Sequence, residues 1–192
     1  MRILFFAGST RQGSYNKKLA RLAQHIASAN CIEGVFVDLT DYPMPLYNGD
    51  LEAEQGPPLK AAEFKALLTE YQGVFIASPE YNSSVTPLLK STLDWVTRVR
   101  GKGETGLEVY RSRVFAISGA SPGNYGAMRS LLHLRQILEV GIGATVIPQQ
   151  LALPRAGDAF EEDGGLKDKA LQAALKGVVE ALAVAARKFA SP

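Results

Sequence analysis

Short, nearly unbroken apolar runs alternate along this chain with longer stretches whose apolar residues recur every three or four positions. The short runs are Ile3–Ala7, Glu33–Leu39, Gly73–Ala77, Val114–Ser118 and Ala144–Ile147. Each is too short for a helix and too continuously apolar for a half-exposed strand, so each reads as a strand buried on both faces. The longer stretches read as helices. Tyr15–Ala29 sets Leu19, Leu22, Ala23 and Ile26 on one face. Leu59–Tyr71, Thr86–Arg100, Tyr125–Val140 and Leu166–Ala190 repeat the pattern, the last with Leu171, Leu175, Val178 and Leu182 in one stripe. Thr40–Pro58, Gly101–Arg111 and Pro154–Gly165 are predicted loops, the first because it holds Pro43, Pro45, Pro57 and Pro58.

Five β-α units in succession predict an α/β fold, with a five-stranded parallel sheet covered by helices on both faces. Right-handed crossovers leave few topologies, and five strands fit the doubly wound order 2-1-3-4-5. In that order ligands bind at the carboxyl ends of strands one and three. The 192 residues show no internal repeat, low-complexity segment or linker, so one domain over 1–192 is expected.

Composition narrows the function classes. Net charge is +2, from 21 basic and 19 acidic residues, which makes no case for a nucleic-acid partner. Cys31 is the only cysteine, so no intramolecular disulfide can form. His25 and His133 have no Cys/His cluster around them, and no metal site is expected. No run has the length of a membrane span. The first apolar run is short and leads into a polar turn rather than a cleavage site, so a cytoplasmic protein is expected.

Candidate chemistry lies in the loops at the strands' carboxyl ends. After strand one come Gly8-Ser9-Thr10-Arg11-Gln12-Gly13-Ser14-Tyr15-Asn16, running straight into a helix. A strand, a glycine- and hydroxyl-rich turn and a helix N-terminus can cradle a phosphate. The loop is not a Walker A box, since Ser14 and Tyr15 stand where Lys and Ser/Thr are needed, and it lacks GxGxxG. Ser9, Thr10, Ser14 and Asn16, with the single charge of Arg11, suit one terminal phosphate better than a magnesium-bound triphosphate. The same residues also fit an ordinary turn with Ser14 as N-cap.

After strand three comes Ser78-Pro79-Glu80-Tyr81-Asn82-Ser83-Ser84, in which Tyr81 can meet a planar ring and Asn82 and Ser83 can hydrogen-bond its edge. A capped turn, with Ser84 or Thr86 as N-cap and Pro87 opening the helix, explains the same residues. After strand four, Ser118-Gly119-Ala120-Ser121-Pro122-Gly123 is a third small-residue loop at the same edge.

Two of these stretches carry a family likeness. GSTRQGSYN resembles the phosphate loop GSxRxxSxN of the NADPH-dependent FMN reductase family. SPEYNSSVTPLLKSTLDW is similar to its second signature, PEYNxSxPxxLKNxLDW, at Pro79, Glu80, Tyr81, Asn82, Ser84, Pro87, Leu89, Lys90, Asp94 and Trp95. The segment from Asp41 to Pro58 is similar as well. The chain departs from the pattern at Ser91, where the family often has Asn, and around Arg129, where it often has a double Gly and an Arg.

The resemblance implies a flavodoxin-like fold that binds FMN non-covalently and uses NADPH or NADH as electron donor. Ser9, Arg11, Ser14 and Asn16 would hold the phosphate, Gly13 would permit the turn, and Tyr15 would sit beside it. Pro79, Glu80, Tyr81, Asn82 and Ser83 would line the flavin ring, with Ser118 and Gly119 approaching its other side. The implied reaction is reduction of quinones, azo compounds, chromate or free flavin by ping-pong hydride transfer, with no obligatory protein acid or base. A homodimer or homotetramer is also implied. A flavodoxin-type electron carrier and a flavin-free binding or regulatory protein on the same fold are the competing readings. The net charge and Arg11 argue against the first, and the intact loops against the second.

Overall fold

The computed structural model describes residues 1–190, and positions 191 and 192 of the expected domain lie outside the described residues. Strands β1 (Arg2–Ala7), β2 (Glu33–Val37), β3 (Gly73–Ala77), β4 (Val114–Ala120) and β5 (Thr145–Leu153) form one sheet. Its order is β2-β1-β3-β4-β5, as the alternation predicts, and every neighbouring pair is parallel.

The pleat divides the core in two. Ile3, Phe5 and Ala7 point to one face, against Leu19, Ala23 and Ile26 of α1 (Tyr15–Ala29) and Leu175, Val179 and Leu182 of α7 (Lys169–Ala190). Leu4 and Phe6 point to the other face, where several helices contribute. Among them are α3 (Leu59–Thr69) with Phe64 and Leu68, α4 (Pro87–Arg98) with Leu89 and Leu93, and α6 (Met128–Gln136) with Leu131 and Leu134. Each such buried side chain contributes about 1.5–3 kcal/mol relative to exposure. Continuous apolar runs in β1, β3 and β4 are therefore what a sheet covered on both faces requires, whereas the edge strands differ from the expectation: β2 has no buried residue and β5 mixes buried with exposed positions.

The structure departs from the sequence pattern where local signals mislead. β5 does not stop at Ile147. Phe115 pairs with Val146 but Ile117 with Gln150, so Ile147, Pro148 and Gln149 bulge opposite Ala116 and pairing resumes to Leu153. The bulge, on an edge strand, removes the ladder bond that Pro148 has no N–H to make. The proline-rich loop holds a 3₁₀ turn (Leu39–Asp41) and α2 (Gly49–Gln55), and the glycine-rich one holds α5 (Glu108–Arg111). α6 is shorter than predicted and gives way to a π-helical segment over Ile137–Ile142.

α4 also fixes the loop before α2. Trp95, fully buried, donates from Nε1 to the Pro45 carbonyl at 2.8 Å. Ser91 Oγ donates to the same carbonyl at 3.0 Å and accepts from the Tyr47 N–H at 2.8 Å. The departure from the family pattern at Ser91 is thus a fitted contact.

Candidate functional site

The loops following β1, β3 and β4 converge at one edge of the sheet on a cleft of about 310 Å³. Ser9, Arg11, Ser14, Tyr15 and Asn16 line it from the first loop, Pro79, Glu80 and Tyr81 from the second, and Ala120, Ser121 and Pro122 from the third. A second hollow of about 300 Å³ shares Ser9, Arg11 and Tyr81 with it and extends over Thr10, Thr86 and Leu88. A larger depression of about 650 Å³, bounded by Phe160–Asp163, Lys167 and Lys169, shares no lining residue with the cleft and is built from one loop and the start of α7. The cleft is the candidate site because three strand ends contribute to it, as the crevice rule for this topology requires.

The first loop makes few bonds within itself and is held from outside. Gly8 donates to the Ala77 carbonyl at 2.9 Å and accepts at its own carbonyl from Thr86 Oγ1 at 2.7 Å. A Cβ at position 8 would stand 2.9 Å from Leu89 Cβ, so glycine lets β1 run this close to α4. Ser14 is the N-cap of α1, its hydroxyl accepting from the Lys17 N–H at 3.4 Å. The N–H groups of Gly13, Tyr15 and Asn16 take no protein acceptor among the described residues. Those are the donors that a helix start offers to an anion. Arg11 is exposed, its guanidinium lying over the Tyr15 ring at 5.3 Å.

Three readings of individual residues change. The Asn16 side chain is already committed. Its Nδ2 donates to the Ala120 carbonyl at 2.8 Å and its Oδ1 accepts from the Ala120 N–H at 2.9 Å, so it ties the first loop to the third. Gly13 is not conformationally required, since its φ is not positive and a Cβ there would meet only Arg11 Nη1, at 3.6 Å. Ser118 and Gly119 belong to β4 and do not line the cleft. Ser118 is fully buried and accepts from the Leu151 N–H at 3.2 Å, while a Cβ on Gly119 would come within 2.7 Å of the Ser78 carbonyl. The strand runs two residues further than its apolar run suggests, which moves the cleft lining on to Ala120–Pro122.

The second loop is held by α6. Glu80 has a side chain only 6% exposed and accepts from the N–H groups of Arg129 at 3.1 Å and Ser130 at 3.3 Å. Ala127, the N-cap of α6, sits in the left-handed region at φ +70 and has no capping side chain. Glu80 supplies the missing cap from 49 residues away, and Arg129 closes on the same carboxylate from Nε at 2.8 Å. Ser130 Oγ donates to the Pro79 carbonyl at 2.8 Å. Beyond Glu80, Tyr81 and Ser84 exchange both backbone bonds around Asn82 (φ +49) and Ser83 (φ +69). This two-residue turn, left-handed at both centres, presents the half-exposed Tyr81 at the cleft mouth.

Sequence reasoning missed the partner of Glu80, because Arg129 lies on a distant helix. Helical spacing also leaves Lys17 off the face formed by Leu19, Leu22, Ala23 and Ile26. Lys17 is buried, pairs with Asp38 at 2.6 Å and donates to the Thr10 carbonyl at 3.1 Å. Burial pushes the Asp38 carboxyl up, but hydrogen bonds from Lys17 and Thr40 outweigh it and hold the group below its ordinary value. Among the described residues, no group of three or more His, Cys, Asp or Glu could hold a metal ion, and no helix is long and apolar enough to cross a membrane.

The profile of the NADPH-dependent FMN reductase family matches residues 1–158, a span that takes in all three loops. The chain belongs to that family. Among its relatives is a probable NADPH:quinone oxidoreductase 2 of Oryza sativa subsp. japonica, 32% identical over 194 residues that cover 95% of this chain and 87% of the other. A quinone reductase of Escherichia coli K12 is 33% identical over 138 residues, covering 72% of this chain and 69% of its own. Among solved structures, the flavoenzyme NAD(P)H:(acceptor) oxidoreductase FerB of Paracoccus denitrificans superposes with a TM-score of 0.81 at 26% identity, over 98% of both chains. As a member of the FMN reductase family with this sheet order, the chain has the flavodoxin-like fold that its motifs implied.

Proposed function

We propose that this protein is an NAD(P)H-dependent oxidoreductase that holds FMN non-covalently in the three-loop cleft and reduces quinones or similar acceptors. The observation that carries this reading is the meeting of three strand-end loops around a helix start whose N–H groups have no protein acceptor. Gly13, Tyr15 and Asn16 would offer main-chain donors to the phosphate, the hydroxyls of Ser9 and Ser14 would add to them, and Arg11 would supply the charge. Pro79, Glu80 and Tyr81, with Asn82 and Ser83 in the adjoining turn, would border the ring, and Ala120–Pro122 would close the opposite wall. FMN held there would supply the redox chemistry between NADPH or NADH and the acceptor.

The protein's part is positional. Glu80 and Ser130 immobilise the Pro79–Tyr81 wall and Asn16 ties the phosphate loop to the opposite wall, so both sides of the cleft are set before anything binds. Donor and acceptor would use the same mouth in turn, which gives ping-pong kinetics. Azo compounds, chromate and free flavin are alternative acceptors within this reading. A cytoplasmic location and a homodimer or homotetramer belong to it too, with Met128, Leu132 and Val140 as exposed apolar residues for a second copy to cover.

Reconstitution tests the reading. Apoprotein mixed with FMN and desalted should retain a flavin spectrum and oxidise NADPH when a quinone is added. Arg11→Ala should weaken FMN more than riboflavin, which lacks the phosphate. A protein that stays colourless after reconstitution contradicts the proposal.

A further inference from the structure

Lys17 is the third residue of α1, yet it is buried and its ammonium reaches back along the preceding loop. It donates to the Thr10 carbonyl at 3.1 Å and to Thr40 Oγ1 at 3.4 Å, and it pairs with Asp38 at 2.6 Å. Asp38 in turn accepts from the Thr40 N–H at 2.9 Å and the Thr40 hydroxyl at 2.7 Å. Three residues from two loops thus close around one ammonium. The side chains of Lys17 and Asp38 are 10% and 24% exposed, so the pair is partly withdrawn from water and weakly screened.

The first loop needs such an anchor. Inside it only the Ser14 N–H to Arg11 carbonyl bond, at 3.2 Å, and the Arg11 N–H to Ser9 Oγ bond, at 3.3 Å, hold its shape. Thr86 fixes its start at Gly8 and Asn16 fixes its end on Ala120. Between those points, Lys17 is the tether at Thr10. An anion site made of main-chain N–H groups works only if the loop keeps them convergent without an anion to order it.

We propose that Lys17, held by Asp38, is the positioning residue of the anion loop. Through Thr10 it keeps the loop in its binding shape, so the preference for a flavin bearing a terminal phosphomonoester over an unphosphorylated one depends on it. The proposal rests on the functional reading above.

The test compares FMN and riboflavin binding to apoprotein by quenching of flavin fluorescence, for wild type, Lys17→Met and Asp38→Asn. Losing one charge-assisted contact predicts a fall of ~10-fold in the FMN-to-riboflavin affinity ratio for Lys17→Met, with riboflavin affinity nearly unchanged. Asp38→Asn keeps the lysine but releases it, and should shift the ratio the same way by a smaller factor. It also serves should the methionine variant not fold. A merely structural role would lower thermal stability and weaken both flavins alike, and that result overturns the proposal. An unchanged ratio in both variants overturns it as well. Wild-type protein that binds neither flavin removes the functional reading and, with it, this proposal. The wild-type measurement therefore separates the two failures.

Discussion

Replacing Glu80 by Gln tests whether the wall of the cleft is built by a helix cap rather than by an ion pair. Glu80 accepts from the N–H groups of Arg129 and Ser130 at the start of α6, and also from the Arg129 side chain. Loss of an N-cap acceptor costs about 0.5–2 kcal/mol. Loss of negative charge at a helix N-terminus costs about 0.3–1 kcal/mol more. The Arg129 side chain is 51% exposed, and an ion pair so solvated contributes under about 1 kcal/mol. Glutamine keeps one acceptor oxygen for the cap and nearly the same volume but loses the charge at the helix start and the ion pair, so Glu80→Gln should cost about 1–2 kcal/mol in all. For a chain of this size that lowers Tm by about 2–8 °C. Arg129→Ala removes only the side-chain arm and leaves both N–H groups on the carboxylate, so it should cost under about 1 kcal/mol. Urea unfolding of the two variants and of the double mutant, followed by circular dichroism, measures each contribution. If Arg129→Ala costs as much as Glu80→Gln, the ion pair dominates and the capping argument is wrong.

Asn16→Ala strips two bonds from the buried Ala120 peptide and should cost about 2–3 kcal/mol, read as a lower urea midpoint with an unchanged slope. Ser83→Gly relieves a residue at φ +69 in a turn whose second centre favours glycine, and should raise stability by about 0.5–1 kcal/mol in the same assay. Asp38 has its folded pKa held below the ordinary 3.8, so the stability it contributes is complete above that value and is lost as pH falls through the lowered one. An acid series of urea midpoints should therefore decline more steeply for wild type than for Asp38→Asn, and parallel curves would count against the pairing with Lys17.

The architecture was legible in the chain because burial on both faces forces the inner strands β1, β3 and β4 to be apolar throughout and short. Five short runs, punctuated by helices with one apolar stripe each, leave the parallel doubly wound sheet with little competition. The position of the cleft followed from that order, and the phosphate loop and the Pro79–Ser84 turn were visible because they are contiguous segments with distinctive residue types. What the sequence misjudged was local structure that a distant neighbour completes. Pro148 looked like the end of β5 because a bulge against Ala116 has no signature in sequence. Ser118 and Gly119 looked like loop residues because small side chains suit both a turn and a strand packed against Ser78 and Ala127.

Tertiary structure alone decided which polar groups remain free for a ligand. Asn16 reads as a phosphate ligand until Ala120, 104 residues away, takes both ends of its amide. Glu80 reads either as a ring contact or as a support of its own loop until α6 arrives without a cap of its own. Lys17 reads only as a residue off the apolar face of its helix until Asp38 and Thr10 close around it. Hydrophobic periodicity is written along the chain, since the burial of most apolar positions follows from their own side chains. A hydrogen bond belongs to two positions at once, so its assignment waits until the fold brings them together.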